Sequence, residues 1–154
     1  MIDPFLENTV SQTCAQSLEP PEAVPAAADV VIIGGGIVGV STAWFLAKKG
    51  IDVVLCEKGH IAGEQSGRNW GWVRVQGRDS REIPMVLESM RIWEGLKEEI
   101  GEDVGFARGG CFWTANSEKE LQEQEDWLSI AKEYDIGTRL IGSKELQQLV
   151  HGSA

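Results

Sequence analysis

The stretch Asp29–Gly59, DVVIIGGGIVGVSTAWFLAKKGIDVVLCEKG, decides the fold. Asp29-Val30-Val31-Ile32-Ile33 is a β-branched run bounded by glycine, which predicts a strand buried on both faces. Gly34-Gly35-Gly36-Ile37-Val38-Gly39 follows. From Val40 to Lys49 the apolar residues Val40, Ala43, Trp44 and Ala47 return at helical spacing, and Gly50 supplies a C-terminal stop. Ile51–Cys56 predicts a second strand, closed by Glu57. Strand, glycine turn, helix and strand in this order make one βαβ unit whose strands run parallel.

The spacing Gly34-x-Gly36-x-x-Gly39 has a mechanical logic. The first glycine permits a tight turn out of the strand, the second lets backbone approach a pyrophosphate, and the third lets helix and strand pack closely. The helix start then offers unpaired N–H groups and a positive dipole end to phosphates. Glu57 stands 23 residues beyond Gly34, near the ~20 expected of a carboxylate that accepts from ribose hydroxyls. A carboxylate there repels a 2′-phosphate, which disfavours NADP. Dinucleotide binding outweighs a turn used only for packing, because strand, helix and acid all stand in their required places. The glycines do not separate NAD from FAD.

The segment after Glu57 bears on that choice. Gly63-Glu64-Gln65-Ser66-Gly67-Arg68-Asn69-Trp70-Gly71 leads into Trp72-Val73-Arg74-Val75-Gln76, and a plain NAD domain has no use for it. Its small residues let backbone N–H groups face a ligand, and Ser66 and Asn69 offer side-chain hydrogen bonds. Residues 65–81 carry four arginines and one acid, a local +3, whereas residues 82–154 hold seven basic and fifteen acidic residues, a local −8. A basic island in an acidic chain points to a bound anion: a pyrophosphate, an electron-rich ring or a substrate carboxylate. A solvated surface loop is the plainer alternative.

Further along, Ile83, Leu87, Met90, Trp93, Leu96 and Ile100 predict a helix from about Ser80 or Ile83 to Ile100, with Pro84 in its first turn. Phe106–Ala115 predicts a strand broken at Gly109-Gly110. Ser117 and Glu120 form a capping box that opens a helix to about Tyr134. Thr138–Ile141 predicts a short strand, and Ser143 a cap for a last helix, Lys144–Val150. Residues 1–28 hold four of the five prolines and no periodicity, and read as a flexible lead.

The whole chain has 154 residues and a formal charge of −10, with 14 basic against 24 acidic residues. That is a globular composition, unsuited to nucleic acid, whose binding rests on phosphate neutralisation. No run reaches the ~20 apolar residues of a membrane-spanning helix. Cys14, Cys56 and Cys111 give no metal or disulfide pattern, and His60 and His151 have no ligand company. The first basic residue is Lys48, so no charged leader precedes it, and the cytoplasm is the expected compartment. Cys56 and Cys111 are expected within buried strands, and Trp44, Trp93 and Trp127 on core-facing helix sides.

On DVVIIGGGIVGVSTAWFLAKKGIDVVLCEKG (29–59) and SGRNWG (66–71), with weaker support from FARGGCFWTA (106–115) and SKELQQLV (143–150), the chain resembles the FAD-dependent amine and amino-acid oxidoreductases of the D-amino-acid oxidase superfamily. The resemblance implies an α/β fold: a Rossmann-like FAD-binding βαβ unit (29–105) and the start of an α+β substrate domain (106–154), incomplete. It implies that Gly34, Gly36, Ile37, Val38 and Gly39 lie on the FAD pyrophosphate, and that Glu57 binds the adenosine ribose with Lys58 near the adenine end. Ser66, Arg68 and Asn69 would contact the pyrophosphate or the flavin side, with Gly71 close to the isoalloxazine. The implied reaction is hydride transfer to flavin from the carbon bearing the amine of a small amine or amino acid; the resemblance assigns no catalytic residue here. Family members are far longer, so the chain is expected to be the N-terminal portion of such an enzyme, inactive alone, with a possible partner chain supplying the rest. An NAD-binding dehydrogenase module and a non-catalytic subunit or remnant are the alternatives.

Overall fold

The computed structural model describes residues 23–150. They fall into two compact units that divide between Trp72 and Val73. Cys14, His151 and most of the expected flexible lead lie outside the described residues.

In the first unit, β1 (Val30–Ile33), α1 (Ile37–Ala47) and β2 (Val53–Cys56) follow in order. The strands pair in parallel, Val30 with Val53 through Ile33 with Cys56. The pair is pinned at both ends. Asp52 carbonyl accepts from the Asp29 and Val30 N–H groups at 3.1 Å, Asp29 Oδ2 accepts from Asp52 N–H at 3.0 Å, and Gly34 N–H donates to Cys56 carbonyl at 2.8 Å. The helix begins at Ile37, three residues earlier than its apolar spacing indicates, so Gly39 belongs to its first turn. It ends on Gly50 (φ +75°), with Ile51 N–H on Leu46 carbonyl and Gly50 N–H on Ala47 carbonyl, the paired bonds of a left-handed glycine stop.

β1 is not buried on both faces. Its residues alternate: Val30 and Ile32 are half-buried, whereas Val31 is 60% and Ile33 90% exposed. Only one face is covered by α1, and no other element of the first unit lies over the opposite one. Cys56, expected inside, is exposed for the same reason, because in a parallel pair it shares a face with its partner Ile33. Trp44 is also partly exposed.

The second unit carries α2 (Ile83–Ile100), α3 (Glu118–Glu133) and α4 (Ser143–Leu149). Pro84 sits in the first turn of α2, and Gly101 (φ +81°) closes the helix with its N–H on Lys97 carbonyl at 2.9 Å. Ser117 Oγ accepts from Glu120 N–H at 3.2 Å, as its spacing predicts, while the Glu120 carboxylate reaches back to Asn116 N–H at 2.6 Å. The cap of α4 is Gly142 and not Ser143, since Gly142 carbonyl takes the first N–H groups, those of Glu145 and Leu146. Ile83, Val75, Trp127 and Ala131 form the core, with Leu87, Met90, Ile130 and Ile136 packed around it. Trp93 is half-buried and stacks on Phe106 with centroids 6.1 Å apart.

Neither 106–115 nor 138–141 is a strand. A strand exists only as part of a backbone ladder, and neither segment makes one among the described residues. Gly109-Gly110 adds a turn (Gly110 φ +79°), and Cys111 is exposed there. Among the described residues no helix is long and apolar enough to cross a membrane.

Ile83 is fully buried at the start of α2, whereas Met85, two residues on, is 70% exposed. Ile83→Ala should therefore cost about 2–5 kcal/mol and Met85→Ala less than about 0.5 kcal/mol, read from urea unfolding followed by tryptophan fluorescence. Equal costs would contradict this core.

Candidate functional site

The glycine turn joins β1 to α1, and each glycine has its own geometric reason. Gly34 turns the chain at φ +106°, a conformation L side chains rarely adopt, and the space where its side chain would project is open. Gly36 caps α1 in extended conformation and its carbonyl accepts from Val40 N–H at 2.9 Å. A Cβ on Gly39 would lie 1.9 Å from the Gly34 carbonyl oxygen, so the helix can start only against a glycine there. Sequence reasoning assigned that glycine to helix–strand packing; the tighter contact is with the turn's own carbonyl, and Ile32 comes second at 3.4 Å.

Glu57, at the end of β2, points at this turn. Its Oε2 accepts from Gly35 N–H at 2.7 Å and its Oε1 from Gly59 N–H at 2.8 Å. These amides, chiefly that of Gly35, hold the carboxyl below its ordinary value of 4.5, with the Lys58 ammonium a smaller contributor. Glu57 is therefore an anion at neutral pH, fixed beside the turn, with lone pairs left for further donors.

Ser66 lies in a short 3₁₀ turn, Gln65–Gly67, and its Oγ accepts from Ile37 N–H at 2.8 Å. It serves as the side-chain cap that Gly36 cannot provide, supplied from 29 residues further along the chain. The N–H groups of Val38 and Gly39, in the same first turn, have no acceptor among the described residues. Val38 and Ile37 are exposed.

Lys58 and Arg68 converge on one acid, Glu64, at 3.3 and 2.8 Å. Asn69 acts locally: its Oδ1 accepts from Gly71 N–H at 2.5 Å and its Nδ2 donates to Ser66 carbonyl. Gly71 takes φ +71° with open space on its side-chain direction, between Trp70 and Trp72, whose rings meet edge to face 5.7 Å apart. The structure thus brings Gly34, Gly36, Ile37, Val38, Gly39, Glu57 and Ser66 together at the start of α1. Arg68, Asn69 and Gly71 have their contacts within the loop that contains Ser66, and Lys58 adds to its pairing with Glu64 a small electrostatic effect on Glu57.

Sequence reasoning missed Gly35. Its N–H goes to Glu57, its carbonyl accepts from Ala62 N–H at 2.9 Å, and a Cβ would lie 2.6 Å from Ile61 Cδ1 and 3.2 Å from Glu57. A third consecutive glycine, where the template allows any residue, was the available signal. The basic island also changes meaning. Arg68 pairs with Glu64, Arg78 with Glu82 at 3.9 Å and Arg81 with Asp79 at 2.7 Å, leaving Arg74 as its one guanidinium with no carboxylate partner among the described residues. Two of those acids stand just outside the window that gave +3.

Residues 29–154 match the family model described as FAD dependent oxidoreductase. The chain is 36% identical over 113 residues to one of the subunits of opine oxidase from Rhizobium meliloti, covering 68% of this chain and 30% of that protein. It is 30% identical over 124 residues to the beta subunit of sarcosine oxidase from Rhodobacter capsulatus, covering 79% and 30%. Among solved structures, L-amino acid deaminase from Proteus myxofaciens superposes with a TM-score of 0.81 at 35% identity, covering 88% of this chain and 32% of that one. The chain therefore spans about a third of the length of these relatives. With a glycine turn of this geometry and a matching family model over most of its length, the chain belongs to the FAD-dependent oxidoreductases, whose cofactor is FAD.

Proposed function

We propose that this chain is the nucleotide-gripping portion of a flavoenzyme that oxidises the C–N bond of an amine or amino acid. The carrying observation is the juxtaposition at the start of α1: open backbone at Gly34, acceptor-free Val38 and Gly39 N–H groups, and the Glu57 carboxylate fixed beside them. Those features fit FAD. The two amides and the helix dipole are donors for the diphosphate, and Glu57 has lone pairs for ribose hydroxyls. The Ser66 hydroxyl, whose oxygen already accepts from Ile37, keeps its own O–H for a phosphate oxygen. In this reading Lys58 and Arg68 turn from Glu64 toward the nucleotide, and Gly71, with no side chain in the way, lies by the ring.

Bound FAD supplies the two-electron acceptor for hydride leaving the carbon that carries nitrogen. The chain's own residues bind and orient: the turn fixes the diphosphate and Glu57 fixes the ribose. The relatives' names support the substrate class, since opines, sarcosine and amino acids all carry an amine nitrogen bonded to carbon.

Titration of the purified chain with FAD, followed by quenching of flavin fluorescence, tests the reading. FAD should bind saturably and NADH should displace it poorly; Gly39→Ala should abolish uptake, because its methyl has no place to go. A chain that takes up no FAD, or prefers NADH, overturns the proposal.

Glu57 also sets a pH dependence. Its folded-state carboxyl lies below 4.5, so its stabilisation is fully present above that value and is lost as pH falls through the depressed one. Thermal melts of the chain should lose stability on acidification through this range, and Glu57→Gln should flatten that part of the profile. An identical acid limb in the variant would show that Glu57 is not the group responsible.

A further inference from the structure

Among the described residues two that are not glycine take a positive φ, Ala62 at +58° and Asp135 at +51°. Asp135 has a local reason. It follows α3, where Ile136 N–H bonds to Ala131 carbonyl at 2.9 Å, and its short polar side chain tolerates the left-handed conformation that often ends a helix. Ala62 has no such reason. Its turn is closed by Gly63 N–H on His60 carbonyl at 2.9 Å, which puts Ala62 at the third position, where a positive φ ordinarily calls for glycine or asparagine. An outlier of this kind persists only where its surroundings hold it, and it points to a role.

Two contacts hold it. Ala62 N–H donates to the Gly35 carbonyl at 2.9 Å. Its own carbonyl oxygen lies 2.3 Å from where a Cβ on Gly67 would stand, so the loop closes on Ala62 only because residue 67 has no side chain. The first contact reaches across the glycine turn. The peptide group between Gly35 and Gly36 is planar and trans, so its N–H, which belongs to Gly36, points opposite to the carbonyl that Ala62 holds. Gly36 N–H has no acceptor among the described residues, and it stands one residue before α1.

We infer that Ala62 is a positioning residue: its left-handed backbone, by holding the Gly35 carbonyl, aims Gly36 N–H away from the loop and toward the diphosphate of the nucleotide. That a diphosphate lies there rests on the proposed function; the direction of Gly36 N–H does not. With glycine on both sides, this peptide group is free to flip once nothing holds it, and would then present its oxygen to the phosphate instead. At an ordinary negative φ, Ala62 N–H turns from the Gly35 carbonyl and the hold is lost. What matters at position 62 is therefore the backbone and not the methyl. Glycine and asparagine enter the left-handed region readily and keep the aim, whereas a β-branched residue, for which it is a genuine outlier, loses it.

The assigned Gly36 backbone ¹H–¹⁵N signal of the 154-residue chain is followed as ADP, and separately adenosine, is added; FAD uptake is read from quenching of flavin fluorescence. ADP should move the Gly36 signal downfield and saturably, and adenosine, which lacks the diphosphate, should not. Ala62→Gly and Ala62→Asn should leave FAD and ADP affinity unchanged. Ala62→Val should weaken both about tenfold or more, the loss of one charge-assisted bond. It should leave adenosine binding as it was, a split that general unfolding of the loop would not give. Should Ala62→Val fail to keep its helical circular dichroism, the Gly36 response of the unaltered chain and the affinities of Ala62→Gly and Ala62→Asn decide by themselves. A Gly36 signal unmoved by ADP, an Ala62→Val that binds as the unaltered chain does, a loss in Ala62→Gly, or equal weakening of ADP and adenosine overturns the inference. FAD uptake without a Gly36 response sinks this inference alone. A Gly36 response to ADP in a chain that takes up no FAD sinks the flavin reading alone.

Discussion

The first unit depends on one close approach. The Gly34 carbonyl oxygen occupies the place where a side chain on Gly39 would begin, 1.9 Å from a Cβ there. Because the helix can start this near the strand end, its first N–H groups come beside the tip of β2, where Glu57 stands. Move α1 away by a methyl group and the Val38 and Gly39 amides no longer share a corner with that carboxylate. The glycine does not add attraction. It removes an obstacle, and the geometry follows.

What holds the corner in place is a set of polar staples across the loop. Glu57 takes the Gly35 N–H, Ala62 gives its own N–H to the Gly35 carbonyl, and Ser66 takes Ile37 N–H. A bond of this kind contributes about 0.5–1.5 kcal/mol, too little singly to order a loop of about ten residues. Their arrangement matters more than their sum: the N–H and the carbonyl of Gly35, on the two peptide groups that flank its Cα, are both fixed from the segment 57–62. The turn and the loop are therefore ordered together. That coupling pre-arranges the backbone toward a ligand before one arrives, which reduces the ordering entropy that binding would otherwise cost.

The parts of the fold readable in the sequence were those with local causes. Gly34 announces a turn through conformational freedom and Gly39 a close approach through its missing side chain, Ser117 and Glu120 announce a helix start, and Gly50 and Gly101 mark helix ends. The 106–115 and 138–141 strands failed because pairing is a property of two segments, and a β-branched or aromatic run carries no information about whether a partner lies beside it. Burial of Val31, Ile33 and Cys56 failed likewise, since apolar composition states what would profit from cover and not what covers it. At the site, Glu57 was readable from its spacing. Ser66 as a cap for α1 was not, because 29 residues of chain separate donor from acceptor. Arg74 as the unpaired guanidinium of its segment was not readable either, because Glu64 and Glu82, which pair with Arg68 and Arg78, stand outside that segment.

For a chain of net charge −10, the proposed grip on a dinucleotide diphosphate runs against the overall charge. Locality resolves this: charges separated through solvent by more than about 8–10 Å are largely screened at physiological ionic strength, so the groups that decide are those at the start of α1 itself. What a phosphate meets there is the unclaimed amides and the positive end of the helix dipole. Glu57 is the nearby anion, and its oxygens are already engaged by the Gly35 and Gly59 N–H groups, whose dipoles offset part of its field. The same locality governs the second unit, where a cavity without a single acid in its lining persists inside a strongly acidic segment. Net charge describes how such a chain behaves in solution; what it binds is decided within one screening length by the few groups that have no partner of their own.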